Sequence, residues 1–390
     1  MIPDDYYYQH LTPKAFDIKE DILSISKDIE NSFTGRLDVM GLHIFFSEAS
    51  SLINNAVRQY EQGFFDSAFY SVRSALELAR IVAYFSHQDE PTESDIYKKW
   101  VQGGKFPYDS QIRGLLNDTS AVYVEVREAL SDFFDAQDER LKQVQKYIHK
   151  QGYRTFYHQN AFRPDIKKFR AEQVDKLFSE FITNSTIEIA FLRLCIDPFP
   201  VLLQDPSVMY KIHFQSVTEP YHDKTLELMG EQNLAKYRKT DFYSSHVDFY
   251  ATNEELDEAT YEIVNHQFYD KTSEEKIKKQ LHLLSNDAVL AISIFDVSED
   301  ITKVYMQGGW IWYFTNADSV RKNWGFSSES LNRLVEAKTQ VNTEYDEAFL
   351  SYFSSNKTQC WTEQNSKLSN EQIEVIRKLV EEADKKETAL

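Results

Sequence analysis

The run Leu141-Lys142-Gln143-Val144-Gln145-Lys146-Tyr147-Ile148-His149 holds the sharpest chemical pattern in the chain. At about 100° per residue, Lys142, Gln145, Lys146 and His149 share one helical face, while Leu141, Val144 and Ile148 form the opposite, apolar one. The polar face offers an imidazole, a side chain able to give or take a proton, flanked by two ammonium groups. Such a face suits phosphodiester cleavage. His149 would move a proton, and Lys142 and Lys146 would stabilise charge on the scissile phosphate. The alternative is structural: His149 lies three residues before Gly152. In a last helical turn an imidazolium gains about 0.3–1 kcal/mol from the helix dipole.

Further basic residues could touch a phosphate backbone. Arg73 and Glu77 stand four apart, the spacing of an intrahelical ion pair, from which Arg73 would be released to contact phosphate. Arg154, His158 and Arg163 are interleaved with Tyr153, Phe156, Tyr157 and Phe162, a mixture that could hold single-stranded RNA by charge and stacking. From Arg140 to Arg170 the chain carries nine Lys/Arg and one acid, a net of +8. A solvated helix face balancing acidic neighbours is the competing account of that window.

The metal, thiol and nucleotide-loop chemistries find no pattern. HExxH, GxSxG, GxGxxG and the Walker lysine are all missing, and the ten histidines are dispersed, so neither a metal nor a cofactor is expected. Cys195 and Cys360 are far apart, and the apolar setting of Cys195 reads as a buried structural thiol. The cysteine usage and the acidic amino terminus without an apolar stretch point to a reducing cytoplasm and no membrane.

The 390 residues carry a net charge of −19, which argues against broad non-specific DNA binding. Hydrophobic residues at 42%, including 27 Phe and 23 Tyr, supply a large core. Only 11 Gly and 9 Pro are present, too few for a Gly-rich nucleotide fold or an all-β sandwich, and in keeping with a mainly helical protein.

The elements that would position these residues follow from periodicity. Ala49, Leu52, Ile53, Ala56, Val57 and Tyr60 mark one helix, ended by Gly63. Phe65, Ala68, Phe69, Val72, Ala75, Leu76, Ala79 and Val82 mark a second, and together they predict an antiparallel hairpin. Further helices are expected over 92–100, 109–117, 121–134, 138–149 and 164–194. The prolines at 198, 200 and 206 mark a boundary. Residues 288–295, 301–306 and 309–314 are β-branched and aromatic, so a small β-element is expected there, with a helix over 286–297 as the alternative. Ser369 and Gln372 form a capping-box pattern opening a last helix.

The stretch from Tyr60 to Ala68, continuing through Arg73-Ser74-Ala75-Leu76-Glu77, resembles the first helical hairpin of HEPN domains (higher eukaryotes and prokaryotes nucleotide-binding). The segment 145–152 resembles the part of those domains that carries their histidine. The resemblance covers residues 41–160. It implies an N-terminal helical bundle that homodimerises, and, for many members, a metal-independent ribonuclease of phage-defence or toxin–antitoxin systems, with His149 as general acid/base. The family's arginine, four to six residues before the histidine, has no counterpart here. The nearest is Arg140, and Lys142 occupies the expected range with a weaker grip on phosphate.

The expected organisation is therefore an N-terminal arm over 1–40 with one helix near 18–29, a HEPN-like bundle over 41–200 and a mostly helical C-terminal domain over 206–390. Two functions stand. One is a ribonuclease built on His149, Lys146 and Lys142. The other is a non-catalytic module that binds RNA or a nucleotide, or that holds a partner protein through its acidic C-terminal part, net −11 from Pro206 onward.

Overall fold

The computed structural model describes residues 16–88, 90–152, 155–156, 164–214, 216–307, 340–345 and 348–387. The chain is mainly helical, with a small five-stranded antiparallel sheet in its C-terminal region. It divides into two compact units, 1–206 with 217–251, and 207–216 with 252–390.

The first unit is a helical bundle. Its elements are α1 (Lys19–Asn31), α2 (Ile44–Glu61), α3 (Phe65–Phe85), α4 (Asp95–Val101), α5 (Asp109–Thr119), α6 (Ala121–Ala129), α7 (Ser131–Ile148) and α8 (Pro164–Leu194). Three further helices follow: α9 (Asp223–Met229), α10 (Glu231–Tyr237) and α11 (Asp241–Ala251). The α2–α3 hairpin forms as the apolar stripes require, and every stripe residue named for α3 is buried. Gly63, at φ 85°, closes α2 with a Schellman turn. Its N–H bonds the Tyr60 carbonyl at 2.9 Å and the N–H of Phe64 bonds that of Gln59 at 2.8 Å. On this hairpin Tyr60 stacks face to face with Phe178 of α8 at 4.1 Å, and Phe69 meets the same ring edge-on at 5.4 Å.

Three expectations need correction. The helices over 121–134 and 138–149 are instead α6, ending at Ala129, and one continuous α7. The break falls at Leu130, whose fully buried side chain fills the corner while its carbonyl accepts from the N–H groups of Phe133 and Phe134. Residues 1–40 are not a separate arm throughout, because α1 packs on α2 and α8, burying Ile22, Ile25 and Ile29. Nor is 206–390 one domain, since 217–251 belongs to the first unit. Tyr221 and Tyr237 explain the return: both are buried, and their hydroxyls donate to the carbonyls of Ala190 (3.2 Å) and Leu194 (3.1 Å) in α8.

In the second unit α12 (Glu258–His266) and α13 (Glu274–Lys279) flank β1 (Phe268–Asp270). Then come α14 (Asn286–Phe295), β2 (Ile301–Met306), β3 (Thr343–Tyr345), β4 (Ala348–Ser354), β5 (Gln359–Gln364) and α15 (Asn370–Glu387). The strand order is β1-β2-β5-β4-β3, antiparallel throughout. Residues 286–295 take the helical alternative, 301–306 are a strand, and 309–314 lie outside the described residues. Val304, Met306, Phe353 and Cys360 from the sheet join Ile294, Ile376 and Val380 from α14 and α15 in one apolar core. The capping box opening α15 is formed, with the Gln372 N–H on Ser369 Oγ at 3.2 Å and the Ser369 N–H on Gln372 Oε1 at 2.8 Å.

Candidate functional site

α7 presents the two faces its sequence requires. Leu141, Val144 and Ile148 are buried, and Lys142, Lys146 and His149 are exposed. The helix ends in a second Schellman turn. His149 is the cap residue, Lys150 takes the left-handed position at φ 50°, and the N–H of Gln151 returns to the Lys146 carbonyl at 2.8 Å. The His149 imidazole thus sits at the C-terminal end of a helix, where the structural reading placed it, while lying open on the lysine face.

Two of the nominated cations have carboxylate neighbours, as does the adjacent Lys150. Lys142 Nζ lies 2.6 Å from Glu139 Oε1, and that bond holds the ammonium above the ordinary lysine range. Arg73 pairs with Glu77 at 2.8 Å, the intrahelical arrangement of the simpler account. Lys150 bridges to Asp66 of α3 at 2.7 Å. At these exposures such pairs are weak and exchange readily for another anion. Arg154, His158 and Arg163 lie outside the described residues.

Beside this face runs a groove of about 540 Å³ between α7 and α8. Gln143, Lys146 and Tyr147 line it from α7, and Gln173, Lys176 and Glu180 from α8. Gln151 and Thr155, from the segment between the helices, also line it. Two ammonium groups, three side-chain amides and one phenol thus share one open trough. Glu180 is the opposing charge, 3.9 Å from Lys176 and 3.5 Å from Arg140. Tyr147 is half-buried, its ring stacked near Phe69 at 6.2 Å, which anchors one wall to the bundle core.

Sequence reasoning found Lys146 and missed Gln173 and Lys176. They lie about thirty residues downstream on a helix read only for its boundaries, and the signal available was their i, i+3 spacing on the polar side of α8.

The bundle interior holds a second polar constellation that no local pattern announced. Arg80, at 2% exposure, donates to Glu188 Oε1 at 2.6 and 3.1 Å and to Asp109 Oδ1 at 2.7 Å. Burial pushes the Glu188 carboxyl up against the pull of Arg80. Burial also works against the Arg80 charge, which Glu188 and Asp109 hold above the ordinary arginine range. Asp109 continues through Arg113 to Asp138 and Arg127, tying α3, α5, α6, α7 and α8 together.

A third constellation joins residues 194 apart. The buried Asp28 carboxylate accepts from the His222 N–H (2.8 Å), the Thr225 hydroxyl (2.5 Å) and the His222 ring at Nδ1 (2.6 Å). It caps the N-terminus of α9 from another helix.

Both cysteines are buried and free, and burial pushes each thiol up to about 12, so neither suits nucleophilic work. Among the described residues no group of three His, Cys, Asp or Glu is placed to hold a metal ion, and no helix is long and apolar enough to cross a membrane. No family model, curated protein or solved structure matches the chain.

Proposed function

We propose that the helical bundle binds single-stranded RNA along the α7–α8 groove, with the exposed face of α7 as its margin. The observation that carries this reading is the joining of Lys146 and Lys176 with three glutamine amides in one open trough, beside the lysine face of α7. Ammonium groups neutralise phosphates and release counterions, and amides read base edges of an unpaired strand. In a chain of net charge −19, a locally basic strip is where a polyanion would be held. The HEPN resemblance over 41–160 points to the same class of partner.

The test is fluorescence anisotropy of a labelled single-stranded RNA against wild type and Lys146→Gln/Lys176→Gln across a salt series. Removing two phosphate contacts lowers affinity and reduces the slope of log K against log salt by about 1–2. An RNA affinity that the double substitution leaves untouched, or none at all, rejects this site. Loss of affinity for RNA and duplex DNA alike would reduce the reading to a general polyanion strip.

A second reading, metal-independent cleavage by His149, is favoured by one observation: the imidazole is exposed on the same face as Lys142 and Lys146. There His149 would take the 2′-hydroxyl proton as that oxygen attacks phosphorus, the P–O5′ bond would break and the proton would pass to the departing 5′-oxygen, leaving a 2′,3′-cyclic phosphate and a 5′-hydroxyl, with Lys146 stabilising the developing charge. Cleavage in EDTA by wild type, lost in His149→Ala and leaving cyclic ends, distinguishes it from binding alone.

A further inference from the structure

Away from that groove, α1 and α2 pack side by side, and the edge of their seam opens into a cavity of about 630 Å³. Its walls follow two helical rows. Lys19, Leu23 and Lys27 recur every four residues on α1, and Asn54, Val57 and Arg58 stand at i, i+3 and i+4 on α2. A seam of this kind is usually filled by aliphatic side chains; here it is lined with charge. Lys19 is accounted for, since its ammonium bridges to Glu61 at 3.0 Å and ties the two helices together. Lys27 and Arg58 differ. Both are exposed, both line the cavity, and neither side chain has an ion pair or hydrogen bond among the described residues. Against these two cations the lining sets one carboxylate, that of Glu30, so the concavity keeps an excess of positive charge that favours a bound anion.

Two other groups define what else the occupant carries. Asn54 Oδ1 is shut off from solvent with no donor among the described residues, so a turn of the amide plane would let a bound molecule supply one. Glu30, exposed on the rim, offers a carboxylate, which accepts hydrogen bonds and repels a second phosphate. Leu23 and Val57 give the cavity an apolar wall. The volume falls in the range of small-molecule sites, about 300–1,000 Å³.

We propose that the α1–α2 cavity binds a small monophosphorylated ligand with O–H or N–H donors, a sugar phosphate or a nucleoside monophosphate. Arg58 and Lys27 hold the phosphate, Arg58 through its planar fork. Asn54 and Glu30 take the donors. The inference is independent of the RNA reading, because the two grooves share no residue.

Isothermal titration of the full chain with inorganic phosphate, ribose 5-phosphate, adenosine monophosphate and adenosine tests it. The organic phosphates should saturate one site per chain and bind more tightly than inorganic phosphate, with adenosine weakest. Whichever organic phosphate binds tighter identifies the ligand class. Lys27→Gln/Arg58→Gln should weaken both by tenfold or more, and Glu30→Gln should weaken them while leaving inorganic phosphate as tight or tighter. Both variants alter exposed side chains, and thermal melting checks that the fold is kept. Lys146→Gln/Lys176→Gln should leave these titrations unchanged. No saturable binding by either organic phosphate overturns the proposal, as does binding that survives the Lys27/Arg58 substitutions or is lost only with Lys146 and Lys176. Indifference to Glu30→Gln overturns the assignment of donors.

Discussion

Lys150 adopts a left-handed backbone conformation, φ 50°, while its ammonium lies 2.7 Å from the carboxylate of Asp66 in the first turn of α3. The same turn at the end of α2 uses Gly63, which adopts such a φ freely. At the end of α7 a side chain is kept despite a steric penalty of about 1–2 kcal/mol. What it contributes is an anchor from the His149 turn to the start of α3.

Separating those two effects needs two substitutions. Lys150→Gly relieves the backbone and loses the ion pair; Lys150→Ala loses the pair and keeps the strain. Lys150→Gly should therefore be the more stable variant by about 1 kcal/mol. Urea unfolding midpoints at constant m-value report the difference, and equal midpoints would remove the strain argument.

His149 makes its capping hydrogen bond through the backbone, from its N–H to the Gln145 carbonyl at 2.9 Å. His149→Ala should accordingly change stability by less than about 1 kcal/mol at pH 7. This makes the substitution a clean probe of cleavage, because lost activity cannot be blamed on lost fold. A circular-dichroism melt of both proteins checks it.

Arg80 and Glu188 are a different case. Removing one partner leaves the other charge buried, so Glu188→Ala should cost about 3–5 kcal/mol. The paired exchange Arg80→Met/Glu188→Leu should recover much of that loss, although Asp109 then loses one of its two arginines. Chemical denaturation of wild type, Arg80→Met, Glu188→Leu and the double variant measures the coupling. Additive losses would show that the pair is not energetically linked.

The buried histidines give the bundle an acid limit. His43, 2% exposed, bonds the Glu30 carbonyl through Nε2 at 2.8 Å, and burial lowers its pKa to about 4. His87 is likewise lowered to about 4, by burial and then by Arg36. Both are neutral in the folded chain near pH 6, where the unfolded chain, with a histidine pKa of about 6.5, already binds protons. Their contribution is complete above that value and is lost as pH falls from about 6.5 to 4, by up to about 1.4 kcal/mol per pH unit for each ring. His43→Gln removes one titrating ring and should flatten the stability-versus-pH slope in that window. An unchanged slope would mean that His43 charges without unfolding.

How much of this was readable beforehand depended on whether the cause was local. The α2–α3 hairpin was legible because its apolar stripes and Gly63 are local signals, and the Ser369–Gln372 box announced α15 for the same reason. The bend at Leu130 was not, because an ordinary leucine breaks the helix there by filling a corner of the core. The β4–β5 hairpin was missed because it turns without glycine. Asp384, on α15, accepts from the N–H groups of Lys357 (3.2 Å) and Thr358 (2.8 Å) and holds that turn from a distance. At the candidate site the α7 face was readable from its period, whereas its opposite wall on α8 depended on how two helices pack. Arg80 lay unnoticed in a stripe of Ala and Leu because its partner is 108 residues away.

The interleaving of the two units bears on how the chain is made. Synthesis delivers 1–206, then ten residues belonging to the other unit, and only then 217–251. Until the last of these clears the ribosome, the stretch of α8 that Tyr221 and Tyr237 cover has no lid, and Phe191 lacks Tyr237, whose ring centre comes to lie 6.3 Å from its own. At about 5–20 residues per second that interval lasts seconds. The nascent bundle therefore carries an adhesive seam through its own translation, and a stall between codons 206 and 251 would leave it exposed to whatever apolar surface is nearest.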